Sequence, residues 1–254
     1  MSNFIQFREI DESIASGYLQ AVAITAMSYG SGQSITFFQG DHDNWQRFRR
    51  LGLRTGLTIE HLMASSAIPT MFPPVKIGNR YYGDGALRQL KPLSPALHLG
   101  ADRLFVVGVS DNLMHRQFIE TSFHPPTLAQ MIGHMLNSAF IDTIESDLET
   151  LRLVNEMADQ AECRQALDGS DKRKIDYICI TPSVAINQLA ENYLHELPRT
   201  VKMFLRFTGA TAKGGGTSAA SYLLFEPGFC GELISMGYHD TLKQEQAVLA
   251  FFSY

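Results

Sequence analysis

The most constraining stretch of the sequence runs from Leu93 to Ser110 and reads LSPALHLGADRLFVVGVS, a short helical pattern followed by an unbroken apolar run. Gly100 predicts the end of a helix that starts near Leu93, because glycine adopts the left-handed conformation that closes many helices. The run Arg103–Ser110 predicts a strand buried on both faces, which is typical of a parallel sheet covered by helices. A helix followed by a buried strand therefore predicts an α/β fold with a mostly parallel central sheet flanked by helices.

The rest of the chain adds helices and strands to this pattern. Gly30-Ser31-Gly32 lies between two β-rich runs. This predicts a hairpin rather than a phosphate-binding loop, because no Gly-Lys-Ser/Thr follows. The spacing of apolar residues predicts further helices over Phe7–Ser16, Thr58–Ser66 (ending before Pro69), and residues 127–165, 196–207, 219–225, 233–238 and 241–251, with strands over Asn79–Gly85 and Lys174–Ser183.

Length and charge limit the classes of protein that the chain can belong to. Its 254 residues, 45% of them apolar and 19% charged, suit one large domain or a core with an appended region. We expect residues 1–112 to form the core and residues 113–254 to form a helix-rich extension that packs on the same core. The net charge is −5, and RFRRLGLR (Arg47–Arg54) is the one basic cluster, which we interpret as a solvated loop. Nucleic acid is therefore not an expected partner, because phosphate binding needs a concentrated positive face.

Cysteine and histidine patterns predict a reduced protein without a zinc site. Cys163, Cys179 and Cys230 are widely spaced and odd in number, which favours free thiols in a reducing compartment. Asp41, His42 and Asp43 are residue types that bind metals, but we interpret this segment as a polar loop, and no zinc motif is present. The sequence has no signal-peptide pattern and no apolar run of transmembrane length, so we expect a location in the cytoplasm or at a membrane periphery.

Three segments that follow one another closely resemble the patatin-like phospholipases. They read ASSAIPTMFPPV (Ala64–Val75), YYGDGALRQLKPLSPA (Tyr81–Ala96) and GADRLFVVGVS (Gly100–Ser110), and the resemblance covers roughly Leu19–Ser110. The tail Ser221–Asp240 also resembles an extension of one bacterial branch of that family. The resemblance implies a three-layer α/β fold, a lipid or acyl-ester substrate, transient contact with a membrane surface, and a cofactor-free Ser–Asp dyad.

Asp84 is the residue to which the resemblance gives a catalytic role. On its own, Asp84-Gly85 predicts a plain turn, since aspartate bonds its own backbone and glycine tolerates positive φ. By resemblance, Asp84 is the general base that takes a proton from a serine, and Gly83, Gly85 and Ala86 form the supporting turn. A carboxylate with a pKa near ~4 is a weak base for a hydroxyl. The role therefore predicts a dry position for Asp84 within hydrogen-bond reach of the serine.

The serine nucleophile of such a dyad has no counterpart in the sequence. No serine has glycine two residues before and two residues after it, which is the pattern of a nucleophile elbow. Ser218 follows Gly216, but Ala220 comes after it, and it lies C-terminal to Asp84, whereas the family places its serine N-terminal to the aspartate. We interpret Ser65 and Ser66, with Ala64 and Ala67 beside them, as part of a tight helix contact near the site.

The resemblance therefore implies that the chain supplies the base but not the nucleophile. The family's Gly-rich oxyanion loop, its serine elbow and the first strands of its sheet lie N-terminal to the matching segments, and we expect the chain alone to be inactive. The alternative is a non-catalytic lipid-binding or interaction module derived from the same fold. Hydrolysis through Ser31 or Ser218 is a third, disfavoured hypothesis, in which Gly214–Gly216 would imitate an oxyanion loop. Met71–Val75 either touches lipid at the mouth of the site or packs in the core.

Overall fold

The computed structural model of this chain describes residues 5–69, 71–109, 131, 142–162, 174–207 and 220–253. Its contacts divide the chain into two units, one of Met1–Asp102 with Thr143–Lys174 and one of Arg103–Asp142 with Ile175–Tyr254. The predicted boundary at residue 112 lies outside the described residues and stays a prediction.

The first unit contains a sheet with short helices and one long helix. Its elements are α1 (Arg8–Ala15), β1 (Ala21–Ser28), β2 (Ser34–Gly40), β3 (Trp45–Arg47), β4 (Arg50–Arg54), α2 (Ile59–Ser65), β5 (Val75–Ile77), β6 (Arg80–Asp84), a 3-10 turn (Gly85–Leu87), α3 (Ser94–His98) and α4 (Asp142–Glu162). The hairpin predicted at Gly30–Gly32 joins β1 to β2, and Gly100, at φ 83°, follows α3 as predicted.

The sheet of the first unit is mostly antiparallel, so the prediction of a mostly parallel sheet is corrected to a mixed α/β architecture. Its strand order is β3-β4-β2-β1-β6-β5. The pairs β1·β2, β1·β6, β3·β4 and β5·β6 are antiparallel, and β2·β4 is parallel. Short turns join β1 to β2, β3 to β4 and β5 to β6, and antiparallel neighbours can be joined by a few residues, whereas parallel neighbours need a crossover.

The core of the first unit forms around the central strand β2. Every residue of β2 is buried, since strands cover both of its edges. Phe37 meets the ring of His61 with ring centroids 4.6 Å apart and the ring of Tyr82 at 5.3 Å, both edge to face. Ala26, Leu57 and other apolar side chains close the same cluster. This core includes residues of α2 and of β6, the strand that ends at Asp84.

The basic segment that we interpreted as a solvated loop instead forms strands β3 and β4, so that interpretation was wrong. Most of its arginines are exposed, whereas Leu51 and Leu53 pack against the core. Gly52 lies directly opposite Trp45 in register, and a Cβ atom there would come 2.1 Å from the indole Nε1. The arginines at both ends of β4 therefore flank three packed residues, Leu51, Gly52 and Leu53.

The second unit contains the apolar run that suggested a parallel sheet. Its elements are β7 (Arg103–Val107), β8 (Asp176–Ile180), α5 (Ile186–Tyr193), a 3-10 turn (Leu194–Glu196), α6 (Arg199–Phe207), α7 (Pro227–Leu242) and α8 (Glu245–Phe252). β7 and β8 do pair in parallel. Burial on both faces of β7 was nevertheless a wrong prediction, because Leu104 and Val106 are buried whereas Val107 is 66% exposed.

Helices of the second unit differ from the prediction in their limits. The chain turns helical at Pro227, a favoured first helical residue, rather than at Leu233. Asp240 near the end of α7 accepts the backbone N–H of Ser183 and a hydrogen bond from Lys243, both at 2.8 Å. α5 was not predicted.

Some predictions fall on residues that the structure does not describe. These are the predictions for residues 127–141 (residue 131 apart), 163–165 and 208–219, together with those for Cys163 and Gly214–Gly216. Cys179 and Cys230 form no disulfide within the described chain.

Candidate active site

The Asp84 turn is fixed through both its side chain and its backbone. Asp84 is the last residue of β6, and its Oδ1 accepts the N–H of Ala86 at 2.9 Å. Its own N–H donates to the carbonyl oxygen of Ala67 at 3.0 Å, just beyond α2. The carboxylate is thus held at the junction of β6 and the segment after α2, with the N–H of Ala86 as its hydrogen-bond donor.

The carboxyl group of Asp84 lies in a dry environment. The residue is 5% exposed, and burial raises the pKa of its carboxyl group from 3.8 to about 6, although the hydrogen bond from Ala86 partly opposes the increase. Among the described residues, no lysine or arginine forms an ion pair with it. A buried carboxylate without a cation is a stronger base than one in water, and elevated pKa values of this kind are concentrated at functional sites.

Gly85 allows two backbone segments to approach each other closely at the turn. A Cβ atom at this position would come 2.2 Å from the carbonyl oxygen of Thr25. Ala26 lies opposite Asp84 in the register of β1 and β6, so this approach closes the end of the β1·β6 pairing. Gly83 lies opposite Met27 in the same pairing. Only glycine fits at position 85 without displacing backbone.

The small residues after α2 pack beside this turn. Ala64 and Ala67 are buried, and Ala67 provides the carbonyl that holds Asp84. Ser65 is half-buried, whereas Ser66 is exposed and donates its hydroxyl to the carbonyl oxygen of Leu62 at 3.1 Å. This arrangement corresponds to the helix contact that the sequence suggested.

His61 is a buried polar residue that the sequence analysis missed. Its Nδ1 accepts the backbone N–H of Thr58 at 3.1 Å at the start of α2. Burial lowers the pKa of the imidazole, although Glu60 and Thr58 partly oppose that change. The pattern Thr58-x-x-His61 is a variant of the capping box, in which glutamate or glutamine usually fills the last position. That departure is the signal that would have identified His61 as a capping residue.

The other candidate residues from the sequence analysis are not in a buried environment like that of Asp84. Ser31 is exposed in the β1–β2 turn, and Ser218 is outside the described residues. Asp41 is 94% exposed in its side chain and forms an ion pair with Arg54 at 3.3 Å. Within the described part of the chain, histidine, cysteine and carboxylate side chains form no cluster suited to a metal ion. In Met71–Val75, Val75 packs against the core and Phe72 is 44% exposed.

A groove runs along β1 next to the turn. Its volume is about 580 Å³, and it is bounded by Gln20 and four residues of β1 between Ala21 and Thr25, by Leu62 and Ser65 of α2, and by residues of the segment 89–101. Gln89 reaches Thr25 across one end, with 3.5 Å from Nε2 to Oγ1. We call this feature the β1 groove. None of the helices that the structure describes is both long enough and apolar enough to cross a bilayer.

Comparison with known proteins finds a family model that matches this part of the chain. The family model described as patatin-like phospholipase matches residues 28–97, which include β2 to β6, the Asp84 turn and α3 up to Leu97. No curated protein matches the chain significantly. Residues 28–97, with the buried Asp84 among them, therefore match the patatin-like phospholipases, a family of lipid hydrolases.

Proposed function

We propose that this chain provides the general base of a lipid acyl hydrolase that works with a Ser–Asp dyad, and that the base is Asp84. The observation that carries the proposal is the buried carboxyl group of Asp84, with a pKa of about 6, in a turn fixed by Ala67 and Ala86. It lies inside the segment that matches the patatin-like phospholipases.

The proposed chemistry is an acyl transfer in two steps. A serine oxygen attacks the ester carbonyl carbon while the Asp84 carboxylate accepts the serine proton. The tetrahedral intermediate then collapses, the bond to the alcohol breaks, and Asp84 returns the proton to the leaving oxygen. Water repeats the sequence on the acyl-serine and releases the carboxylic acid. Ala86 holds Oδ1 of Asp84, so we assign the proton transfer to Oδ2.

The nucleophile has to come from outside the 254 residues of this sequence. No serine in the chain has the Gly-x-Ser-x-Gly environment that exposes a nucleophile above a sheet. The backbone donors that stabilise the oxyanion would come with that serine, because they lie next to it in enzymes of this kind. We therefore expect this chain alone to show neither ester hydrolysis nor covalent labelling by a fluorophosphonate.

Two measurements test the proposal. The 254-residue chain should not react with a fluorophosphonate. Labelling of Ser31 or Ser218 would instead favour a self-contained active site over the Ser–Asp dyad.

In a form of the protein that hydrolyses p-nitrophenyl butyrate, Asp84→Asn should lower kcat by about 100- to 10,000-fold. The control Asp43→Asn, in an exposed loop, should keep full activity. Because the base must be ionised, kcat/KM should rise with pH and level off above pH 6. Full turnover by Asp84→Asn would rule out the assignment.

The absent nucleophile also supports a second candidate, a non-catalytic lipid-binding module built on the same fold. In that case the chain would bind phosphatidylglycerol vesicles without hydrolysing them, and Asp84→Asn would leave binding unchanged. Vesicle co-sedimentation with and without release of fatty acid separates the two functions. Release of fatty acid in the presence of a nucleophile-bearing segment favours the hydrolase.

A further inference from the structure

The β1 strand has one edge that β6 covers only in part. β2 pairs with β1 from Ala21 to Met27, whereas β6 pairs only with Ala26–Ser28. The edge facing β6 is therefore without a strand partner along Ala21–Thr25 among the described residues. An uncovered strand edge exposes a row of N–H and C=O groups that can pair with another chain.

The alternating direction of backbone hydrogen bonds along β1 shows which N–H and C=O groups face this edge. Ser28 donates its N–H to Gln33 on the β2 side, and Tyr29 donates its N–H to Tyr81 on the β6 side. Because these directions alternate along a strand, Ala21, Ala23 and Thr25 face the open edge. Ala21, Ala23 and Thr25 also line the β1 groove.

The walls of the groove restrict what can reach the edge. Leu62 and Ser65 of α2 line it, as do Gln89, Pro92 and Leu99 of the segment 89–101. A second copy would bring the same lining residues against its partner's edge, which disfavours edge-to-edge pairing of two copies there.

We propose that the β1 groove binds an extended, uncharged peptide segment of a partner polypeptide, which adds a strand to the sheet along Ala21–Thr25. The segment continues the position that β6 occupies at Ala26–Ser28, so its pairing is continuous with an existing strand interface. Its backbone bonds to the open groups of Ala21 and Ala23. Among the residues that the structure describes, no aspartate, glutamate, lysine or arginine lines the groove, and an uncharged segment therefore fits it. Strand addition of this kind draws its affinity from main-chain hydrogen bonds.

The added strand would end beside the Asp84 turn. Thr25, at the end of the open edge, is in backbone contact with Gly85. A residue at that end of the bound segment therefore comes next to the turn that carries the carboxylate. The proposal concerns binding and does not depend on Asp84 being a catalytic base.

The test uses hydrogen exchange of the full 254-residue chain with a defined peptide. The probe is acetyl-Thr-Val-Thr-Val-Thr-amide at about 1 mM, since a short peptide binds weakly. The comparison peptide has the same side chains but a fully N-methylated backbone. We expect the first peptide to slow exchange at Ala21, Ala23 and Thr25 by about 10-fold or more, and the methylated peptide to have no effect.

A pair of variants tests the same point from the protein side. Ala23→Pro removes one edge N–H that β2 does not use, so the β1·β2 ladder remains, whereas Ala23→Ser keeps the N–H. Protection by the peptide should disappear in Ala23→Pro and persist in Ala23→Ser, with exchange at Ile24 and Phe37 unchanged in both. If Ala23→Pro does not fold, the two peptides on the unmodified chain still decide the question.

Three results would overturn the proposal. One is slow exchange of the edge amides in the chain without peptide. Another is equal protection by both peptides, or by neither. The third is binding of dodecanoate in the groove, seen as shifts at Leu62 and Ala96, with no peptide effect on the edge amides, which would make the groove an acyl-chain site.

Discussion

The carboxyl group of Asp84 is buried, which costs free energy when it is ionised, and hydrogen bonds to Ala67 and Ala86 fix the position of the residue. A carboxylate that is removed from water and has no cation beside it destabilises the folded chain when it is ionised. Its raised pKa expresses this cost, since a change from 3.8 to about 6 corresponds to about 3 kcal/mol at most. Such a cost is expected at a site that uses the basicity of the carboxylate, and it makes the ionisation of Asp84 measurable in stability.

We predict that the stability contribution of Asp84 decreases as pH rises. The pKa of Asp84 is higher in the folded chain than in the unfolded chain, so the folded chain binds more protons between about pH 4 and pH 6. The free energy of unfolding, relative to Asp84→Asn, should therefore fall across this range and stay constant above it. Urea unfolding of both proteins at several pH values measures the difference, and a difference independent of pH would contradict the burial of the carboxylate.

At Gly85 we predict a steric effect on stability. Gly85→Ala should lower the free energy of unfolding by about 1–3 kcal/mol, because its Cβ would lie 2.2 Å from the carbonyl oxygen of Thr25 and the backbone would have to move. Gly56→Ala is the control, since a Cβ there meets no atom within 4 Å. Equal stability of the two variants in urea unfolding would contradict the close approach of the backbones.

At the scale of elements, α4 holds the segment that follows the Asp84 turn. Asp147 in α4 accepts the backbone N–H of Leu93 at 3.0 Å and forms an ion pair with Lys91 at 3.1 Å. Lys91 also donates to Thr150 one helical turn further along α4 at 3.0 Å. α4 thus anchors residues 91–93, which lead from the turn to α3. Nothing in the sequence indicated this contact, because the partners are more than fifty residues apart.

Removing this anchor is predicted to destabilise the first unit. Asp147→Ala leaves the buried N–H of Leu93 without its acceptor and should cost about 1–3 kcal/mol. Glu149→Gln in the same helix is the matched control, because Glu149 is exposed, and it should change the free energy of unfolding by less than about 0.5 kcal/mol. Chemical unfolding of both variants measures these costs. A similar effect of the two substitutions would show that α4 contributes only through its helical structure.

Local sequence signals predicted the elements that carry the Asp84 turn. Alternating β-rich residues around Gly30–Gly32 determine the β1–β2 hairpin, and the restriction that Pro69 places on the residue before it limits α2. Asp84-Gly85 indicated a tight turn, which the structure contains. Each of these signals acts within a few residues of the element that it specifies, so a single sequence is sufficient.

Sequence reasoning failed where distant partners decide the outcome. The direction of strand pairing depends on which strands become neighbours, and Arg103–Val107 belongs to a sheet other than the one that carries Asp84. The arginines of Arg47–Arg54 suggested a solvated loop, although this segment pairs as a strand. Its packing depends on Trp45, which lies over Gly52. The burial of Asp84 was expected from the resemblance alone. Local sequence could not predict it, because β1, α2 and β6 together surround the Asp84 side chain.

At the scale of the whole molecule, surface charge and exposed apolar side chains together predict a pH-dependent association. The net charge is −5 at pH 7 and approaches zero near pH 5.9. Large apolar side chains lie at the surface in each unit, including Phe72 in the first and Val107 in the second. Charge repulsion at neutral pH opposes contacts between such surfaces, and this opposition weakens as the net charge approaches zero.

We therefore predict that light scattering from this chain at low salt is low at pH 7.5 and reaches a maximum near pH 5.9. Lys76→Glu replaces an exposed lysine of β5 and makes the chain more negative by two charges, so its maximum should move to lower pH. Lys76→Gln changes one charge and should move it about half as far. Maxima at the same pH in all three proteins would mean that a local titration, such as that of Asp84, controls the association. In that case Asp84→Asn should remove the pH dependence, whereas association driven by net charge should survive that substitution with its maximum only slightly displaced.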